Sequence, residues 1–184
     1  MGPSLARYGP VSGLLIISAA AMAAPGEERL VSPPLNGFVE IATENTPTQS
    51  GRQEVLRGET ATQWSRMITT VRFRGMGNRM ASNQFIQATL RDLRRNCRRA
   101  IISSVATRNL AGYQTSMVHV DCPPALAQEP GSFVRLASSG GDDRHLKEIA
   151  FGGGRTAMEL AWARSFLPGV VLCLPRDRQP ACQR

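Results

Sequence analysis

The sequence predicts a single α+β domain, in which an antiparallel sheet of about five to seven strands is packed with two main helices. Short runs that alternate apolar and polar residues are joined by tight turns, and two longer segments carry apolar residues at helical spacing. The chain also has the length of one domain with one core once a leader is removed. We expect four segments: a signal peptide at 1–23, a flexible leader at 24–36, the domain at 37–175 and a disulfide-tied tail at 176–184.

The first residues have the three parts of a secretory signal peptide. Arg7 precedes an apolar run at residues 11–21, and Ala21-Met22-Ala23 places small residues at a cleavage site. The run is shorter than the roughly 20 residues that a membrane-spanning helix needs. We therefore expect cleavage after Ala23, a periplasmic or secreted mature chain, and no transmembrane span after processing. No cysteine follows the cleavage site, which argues against a lipoprotein anchor.

The first half of the chain predicts three strands and a helix, separated by turn residues. Alternation, together with a β-branched run at 68–71, predicts strands at 37–44, 52–57 and 64–73, with a loop at 45–51 after the first of them. Apolar residues recur at helical spacing up to Cys97, and this pattern predicts an amphipathic helix from 83 to about 96. Ser82 is expected to cap the N-terminus of this helix.

The second half is richer in strand patterns. Alternating or β-branched runs bounded by Gly and Pro predict four strands, at 100–106, 113–122, 132–138 and 145–151. A turn is expected at 109–112, and apolar spacing predicts a helix at 156–167. Residues 170–173 fit either a last helical turn or a short strand.

Four cysteines, all in the mature part, predict disulfides, because an even number in an exported chain is typical of a disulfide framework. The favoured pairs are Cys97–Cys122 and Cys173–Cys182, since each pair is close in sequence. The alternative is four free buried thiols. A zinc site is disfavoured, because the chain has two histidines and no C-x-x-C or H-x-x-x-H spacing. We predict neither a metal nor another cofactor.

His119 and Asp121 are the strongest catalytic candidates. Residues two apart on a strand share one face, so a base and its orienting acid could meet there. A polar pair without a catalytic role explains the same pattern, and the chain has no G-x-S-x-G elbow to supply a nucleophile. His145 follows a run of charged residues that is typical of a solvated turn. The sequence therefore favours a protein that is not an enzyme.

A glycine-rich loop between the last long strand and the second helix is a candidate anion site. Gly153, Gly154 and Arg155 could offer backbone N–H groups and a guanidinium to an anion. The loop matches neither G-x-G-x-x-G nor the P-loop pattern. The alternative is a flexible connection from strand to helix.

An arginine cluster at the end of the first predicted helix is the densest charge feature. Lysine plus arginine number 22 against 14 acidic residues, a net charge of +8, and Lys147 is the only lysine. Part of the cluster can complement the helix dipole. Aromatic residues make up 5% of the chain and none adjoins the cluster, so nucleic acid is not a predicted partner. We expect contact with an anionic envelope component or another exported protein through Arg91, Arg94, Arg95, Arg98 and Arg99.

Three short motifs carry a family resemblance: Trp64-x-x-Met67-Ile68-Thr69 on a predicted hairpin, a helix ending near Cys97, and Asp121-Cys122-Pro123 at a strand end. Over residues 37–167 the chain resembles small uncharacterised secreted proteins of proteobacteria, whose layout is distantly similar to the PsbP-like α/β/α sandwich. In that fold an antiparallel sheet lies between helices. The resemblance implies the fold and implies no conserved catalytic set.

Taken together, these features predict an exported, envelope-associated accessory or binding protein without catalytic activity. A first alternative is a small periplasmic hydrolase that uses His119 and Asp121. A second is an inhibitor or chaperone-like module that acts on another exported protein.

Overall fold

The computed structural model describes residues 28–110, 112–122, 131–152 and 156–174, together with Asp177 and Cys182. The predicted signal peptide and the loop formed by Gly153, Gly154 and Arg155 lie outside these residues. The elements of the described part are, in chain order, β1 (Arg29–Val31), β2 (Phe38–Asn45), β3 (Gln49–Leu56), β4 (Arg66–Phe73), α1 (Ser82–Asn96), β5 (Ile101–Ile102), β6 (Ala106–Leu110), β7 (Tyr113–Asp121), β8 (Ser132–Ser139), β9 (Arg144–Phe151), α2 (Ala157–Phe166), a 3₁₀ turn (Leu167–Gly169) and β10 (Val171–Cys173).

Eight of these strands form one antiparallel sheet in the order β2-β3-β4-β9-β8-β7-β5, with β6 also paired to β7. The predicted α+β fold is confirmed, and the strand count slightly exceeds the prediction. One reason is that the strand predicted at 100–106 is two strands, β5 and β6, which both pair with β7. Between them the Ser103 N–H donates to the His119 carbonyl at 2.9 Å, and Ser103 Oγ accepts from the His119 N–H at 3.0 Å.

The two helices pack on opposite faces of the sheet. Strand side chains alternate between faces, so Leu146 and Ala150 of β9 pack in the core cluster that contains the apolar face of α1. Ile149 and Phe151 of the same strand pack in the cluster that contains α2. The result is a three-layer sandwich whose central strands are covered on both sides.

Helix α1 begins one residue earlier than predicted, and Ser82 does not cap it. The residue before the helix, Ala81, has the extended backbone of an N-cap, at φ −66° and ψ 155°, and its N–H donates to Gln84 Oε1 at 3.1 Å. Ser82 is instead buried, and its hydroxyl lies 2.7 Å from the hydroxyl of Ser116 on β7. The side chain that could have capped the helix therefore anchors its first turn to the sheet.

The expectation of a flexible leader at 24–36 is wrong for Arg29–Val31, which form β1. This strand pairs antiparallel with β10, in the register Arg29↔Cys173, Leu30↔Leu172 and Val31↔Val171. Residues 171–173 are therefore a short strand, which was one of the two alternatives. Leu30 packs against the core on the α2 side. Its partial burial therefore stabilises the two-stranded ribbon formed by β1 and β10 against that side of the core.

Two of the strand ends that differ from the prediction are explained by the turns beside them. β3 begins at Gln49, since the Thr46 N–H donates to the Gln49 carbonyl at 2.7 Å and closes a tighter loop than 45–51. β6 continues through Leu110 into the region predicted as a turn. Gly112, with φ +89°, reverses the chain there, in a backbone conformation that glycine adopts readily.

Both predicted disulfides are confirmed. Cys97 at the end of α1 is bonded to Cys122 after β7, with their Cα atoms 6.1 Å apart. Cys173 on β10 is bonded to Cys182 in the tail, at a Cα separation of 5.5 Å. The first bond joins a helix to the sheet, and the second attaches the tail to the β1–β10 ribbon.

Peptide mapping without reduction should recover two crosslinked peptides, one containing Cys97 with Cys122 and the other Cys173 with Cys182. All four cysteines are in these bonds, so alkylation before reduction should label none of them. Alkylation after reduction provides the control and should label all four. A crosslink between Cys97 and either tail cysteine would contradict the pairing.

Candidate functional site

The five arginines predicted as a binding cluster are all exposed. Arg91, Arg94 and Arg95 lie on the face of α1 that points away from the sheet, whose apolar side packs into the core. Arg98 and Arg99 lie in the following turn, where the Ala100 N–H donates to the Cys97 carbonyl at 3.3 Å. We call the set Arg91, Arg94, Arg95, Arg98 and Arg99 the arginine patch.

Acidic side chains scarcely neutralise the arginine patch. Within the described part of the chain, the one ion pair that it makes joins Arg95 Nη1 to Asp92 Oδ1 at 3.5 Å, between exposed side chains. An exposed pair of this kind contributes about 0.2–1 kcal/mol and leaves both groups hydrated. The Cys97–Cys122 disulfide holds the turn that carries Arg98 against the end of β7. The patch is thus a positively charged surface on a fixed framework.

His119 and Asp121 meet as predicted, together with a third residue, Ser132. His119 Nε2 lies 3.2 Å from Asp121 Oδ1 and 3.2 Å from Ser132 Oγ. The Ser132 hydroxyl, which is buried, is within hydrogen-bonding distance of Asp121 Oδ1 at 2.7 Å. Sequence reasoning missed Ser132, because it faces Asp121 only through the register of β8 against β7.

The geometry of this trio differs from that of a hydrolytic triad. In a triad the serine bonds to one ring nitrogen of the histidine, and the acid orients the ring through the other nitrogen. Here both Asp121 and Ser132 face the same nitrogen, Nε2, and the serine also bonds to the acid directly. A buried serine in this arrangement favours the alternative of a structural polar group.

His145 does not lie in a solvated turn, contrary to expectation. It is buried near the start of β9, and its Nε2 lies 3.3 Å from Glu28 Oε2. The Glu28 carboxylate also accepts the backbone N–H groups of Asp142 at 2.9 Å and Asp143 at 3.2 Å. Burial lowers the pKa of His145 and outweighs the opposing effect of the Glu28 carboxylate. The charged run before His145 is therefore a turn. Its backbone N–H groups donate to Glu28, which is the first residue of the described chain.

Asp143 completes this buried group. Its carboxylate accepts the Gly75 N–H at 2.8 Å and pairs with the guanidinium of Arg72. Burial by itself would raise the pKa of Asp143, but the Gly75 amide and Arg72 together hold it below its usual value. The group joins the N-terminal segment, β4 and the β8–β9 turn.

Glu28, Asp143 and His145 could in principle hold a metal ion, since one ligand atom from each lies within 4.8 Å of the others. Protein donors already engage these atoms: two backbone N–H groups bind Glu28, and Arg72 binds Asp143. A cation would have to compete with the Arg72 guanidinium. The chemistry of the group therefore fits a salt-bridged network better than a metal centre.

The helix that follows the predicted anion loop is capped by its own residues. Thr156 Oγ1 accepts the Glu159 N–H at 3.1 Å, and Glu159 Oε2 accepts the Thr156 N–H at 2.8 Å. The backbone N–H of Thr156 lowers the pKa of Glu159, and burial opposes it only in part. The Glu159 carboxylate already supplies negative charge at the N-terminus of this helix. Anion binding by Gly153, Gly154 and Arg155 stays a prediction.

The two tryptophans pack against the core, one on each side of the sheet. Trp64 is partly buried against the core on the α1 side, and Trp162 against the core on the α2 side. Trp162 stacks on Phe38 and on Phe166, with ring centroids 6.2 and 5.4 Å away. The guanidinium of Arg66 lies 4.5 Å from its ring centroid.

The architecture defines a protein with a PsbP-like α/β/α sandwich. Among solved structures, it is similar to cyanobacterial PsbP (CyanoP) from Synechocystis sp. PCC 6803, at a TM-score of 0.55 and 6% identity, over 91% of this chain and 100% of that chain. A protein from Bacteroides thetaiotaomicron matches at a TM-score of 0.45 and 11% identity, over 85% of this chain and 52% of that one. At 6% identity, the similarity to CyanoP shows the fold alone.

No family model and no curated protein matches the sequence. Neither helix of the described residues has the length and apolar content that a membrane span requires. The function must therefore be inferred from the residues themselves.

Proposed function

We propose that this protein is an exported, envelope-associated accessory protein that binds an anionic partner through the arginine patch and performs no catalysis. The observation that carries the proposal is the exposure of all five arginines, with Asp92 the one acid that pairs with them in the described part of the chain. Guanidinium groups suit carboxylate and phosphate partners, because their planar N–H donors can bind two oxygens at once.

Export is supported by the signal-peptide pattern at 1–23 and by the two disulfides, which are consistent with an extracytoplasmic location. The resemblance to small secreted proteobacterial proteins points the same way. The mature protein would then act in the periplasm or outside the cell.

Of the two alternatives, one would use a different part of the molecule and the other would use the arginine patch. A hydrolase would depend on His119 and Asp121, whose shared contacts on one ring nitrogen favour a structural role instead. An inhibitor or chaperone-like module would use the same exposed arginines toward an acidic exported protein, and so is a variant of the proposal.

A double charge reversal, Arg94→Glu with Arg98→Glu, should weaken binding to a soluble polyanion by about tenfold or more, since tenfold corresponds to about 1.4 kcal/mol. The measurement is the affinity of the exported protein for polyglutamate, followed as the salt concentration rises. Binding by the unchanged protein should fall with salt, because exposed charges are screened.

The matched control is Arg108→Glu with Arg164→Glu, which changes the net charge equally. Both arginines are exposed, on β6 and α2, away from the arginine patch. The control should lose much less affinity than the patch variant. Equal losses would mean that binding follows net charge alone and that the patch has no special role.

A further inference from the structure

One end of the sheet brings together residues that are far apart in the sequence. The pairing registers place Ile101, Asp121, Ser132, Phe151 and Arg66 in a single row across five neighbouring strands. This is the last paired row at that end of β5, β7, β8, β9 and β4. The arginine patch approaches the row from the β5 side, because Arg98 and Arg99 lie in the turn that leads into β5.

The two large apolar side chains most exposed in the described part both lie at this end. Ile101 is 67% exposed at the β5 side of the row, and Met158 is 81% exposed in the first turn of α2. Met158 is placed near the other side by its neighbour Glu159, whose Oε1 lies 3.4 Å from Arg66 Nη2. We call this surface, formed by the arginine patch, Ile101 and Met158, the basic end.

We propose that the basic end docks on an anionic lipid bilayer surface, with the arginines on the phosphate groups and with Ile101 and Met158 in the interfacial region. The inference rests on the proposed function and names the partner of the same patch. A basic side chain near an anionic leaflet strengthens binding about fivefold, and an inserted apolar side chain adds to this by leaving water.

The spacing of the apolar side chains favours lipid over an acidic protein. A protein partner is typically bound through a contiguous, closely packed apolar centre. Ile101 and Met158 stand apart, on the two sides of a sheet end, and a fluid interface can receive separated side chains. Two of the acidic groups near them accept hydrogen bonds: Asp121 from Ser132, and Glu159 from Arg66.

The test is flotation of the exported protein with vesicles of phosphatidylcholine alone or mixed with about a third phosphatidylglycerol. We expect binding to the mixed vesicles, little binding to the neutral ones, and loss of binding in high salt. Ile101→Ser with Met158→Ser should reduce vesicle binding about tenfold. The same variant should keep the unchanged protein's affinity for polyglutamate, since it alters no charge.

Each other outcome bears on a specific claim. Polyglutamate binding without vesicle binding would overturn the lipid inference and leave the proposed function standing, with an acidic protein as the partner. The assignment of the basic end would be overturned if Ile101→Ser with Met158→Ser left vesicle binding unchanged. Equal binding to neutral and mixed vesicles would overturn it as well. If the protein bound neither polyglutamate nor the mixed vesicles, the proposed function itself would be overturned. Arg108→Glu with Arg164→Glu is again the control for net charge.

Discussion

Replacing Arg144 by alanine is expected to lower the free energy of unfolding by about 4 kcal/mol, because several buried acceptors lose their donor together. Arg144 is fully buried at the start of β9. Its Nη2 donates to the carbonyls of Met76, at 3.3 Å, and Gly77, at 2.9 Å, and also to the carbonyl of Met80. Its Nη1 donates to Ser139 Oγ at 2.7 Å.

Among the described residues, the dipoles of carbonyl and hydroxyl groups, rather than an acid, stabilise the positive charge of Arg144. Burial lowers the pKa of Arg144, but a guanidinium keeps its proton in proteins. The ring of Phe85 on α1 lies below it, with the centroid 5.4 Å from Cζ. Arg144 binds the segment between β4 and α1, and Gly77 of this segment lies close to the β8–β9 turn. A Cβ added at Gly77 would lie 2.7 Å from the Asp142 carbonyl carbon. Arg144 thus fixes the chain that leads into α1.

The measurement is urea unfolding of the variant beside Arg144→Lys and Arg108→Ala. A lysine keeps the charge but cannot reach the same set of acceptors, so its loss should be intermediate. Arg108 is exposed on β6, and its replacement should change stability by about 0.5 kcal/mol or less. A loss below about 1 kcal/mol for Arg144→Ala would show that water replaces the guanidinium at these carbonyls.

The sequence was sufficient for the elements that carry a regular pattern over many residues. β7, β8 and α1 lie within a few residues of their predicted bounds, because alternation and helical spacing reflect which side chains are buried. The disulfide pairs also follow from the sequence, since nearness along the chain favours them. The arginine patch is exposed because its members occupy the polar side of an amphipathic helix and the turn after it.

The parts that were missed depend on contacts between distant residues. β1 is three residues long and, among the described strands, pairs with β10 alone, so no local pattern marks it. His145 was misplaced because the partner that buries it, Glu28, is 117 residues away. Ser132 joined His119 only through the strand register.

Helices on both faces of the sheet explain why the buried cations were also missed. On a sheet with one open face, a charged residue in the alternation points to water. Here Arg144 and Lys147 lie on opposite faces of β9, and both are fully buried. Their surroundings within the described part of the chain differ, because several fixed carbonyls bind Arg144, whereas one hydroxyl binds Lys147. The same kind of substitution should therefore have opposite effects at the two positions.

Lys147→Met is expected to raise the free energy of unfolding at pH 7 by about 2 kcal/mol. Lys147 Nζ donates to Thr70 Oγ1 at 3.0 Å, and burial lowers the pKa of Lys147 to about 8 from 10.5, with Glu54 only partly compensating. That difference corresponds to a penalty of about 3 kcal/mol for holding the charge in the folded protein. Methionine has a similar length and no charge, and the lost hydrogen bond removes about 1 kcal/mol of the gain.

The gain from Lys147→Met should vanish as the pH approaches 10. Between about pH 8 and 10.5 the unfolded chain binds a proton at Lys147 that the folded chain has released, so the unchanged protein becomes more stable with rising pH. Urea unfolding at pH 7 and pH 9.5 measures both values, and Thr70→Val tests the hydrogen bond in each background. Thr70→Val should destabilise the unchanged protein and have little effect in the Lys147→Met variant, because the donor is then absent. If Lys147→Met instead lowered stability at both pH values, the attraction of the Glu54 carboxylate would exceed the penalty of burial, and Lys147 would be a stabilising member of the sheet.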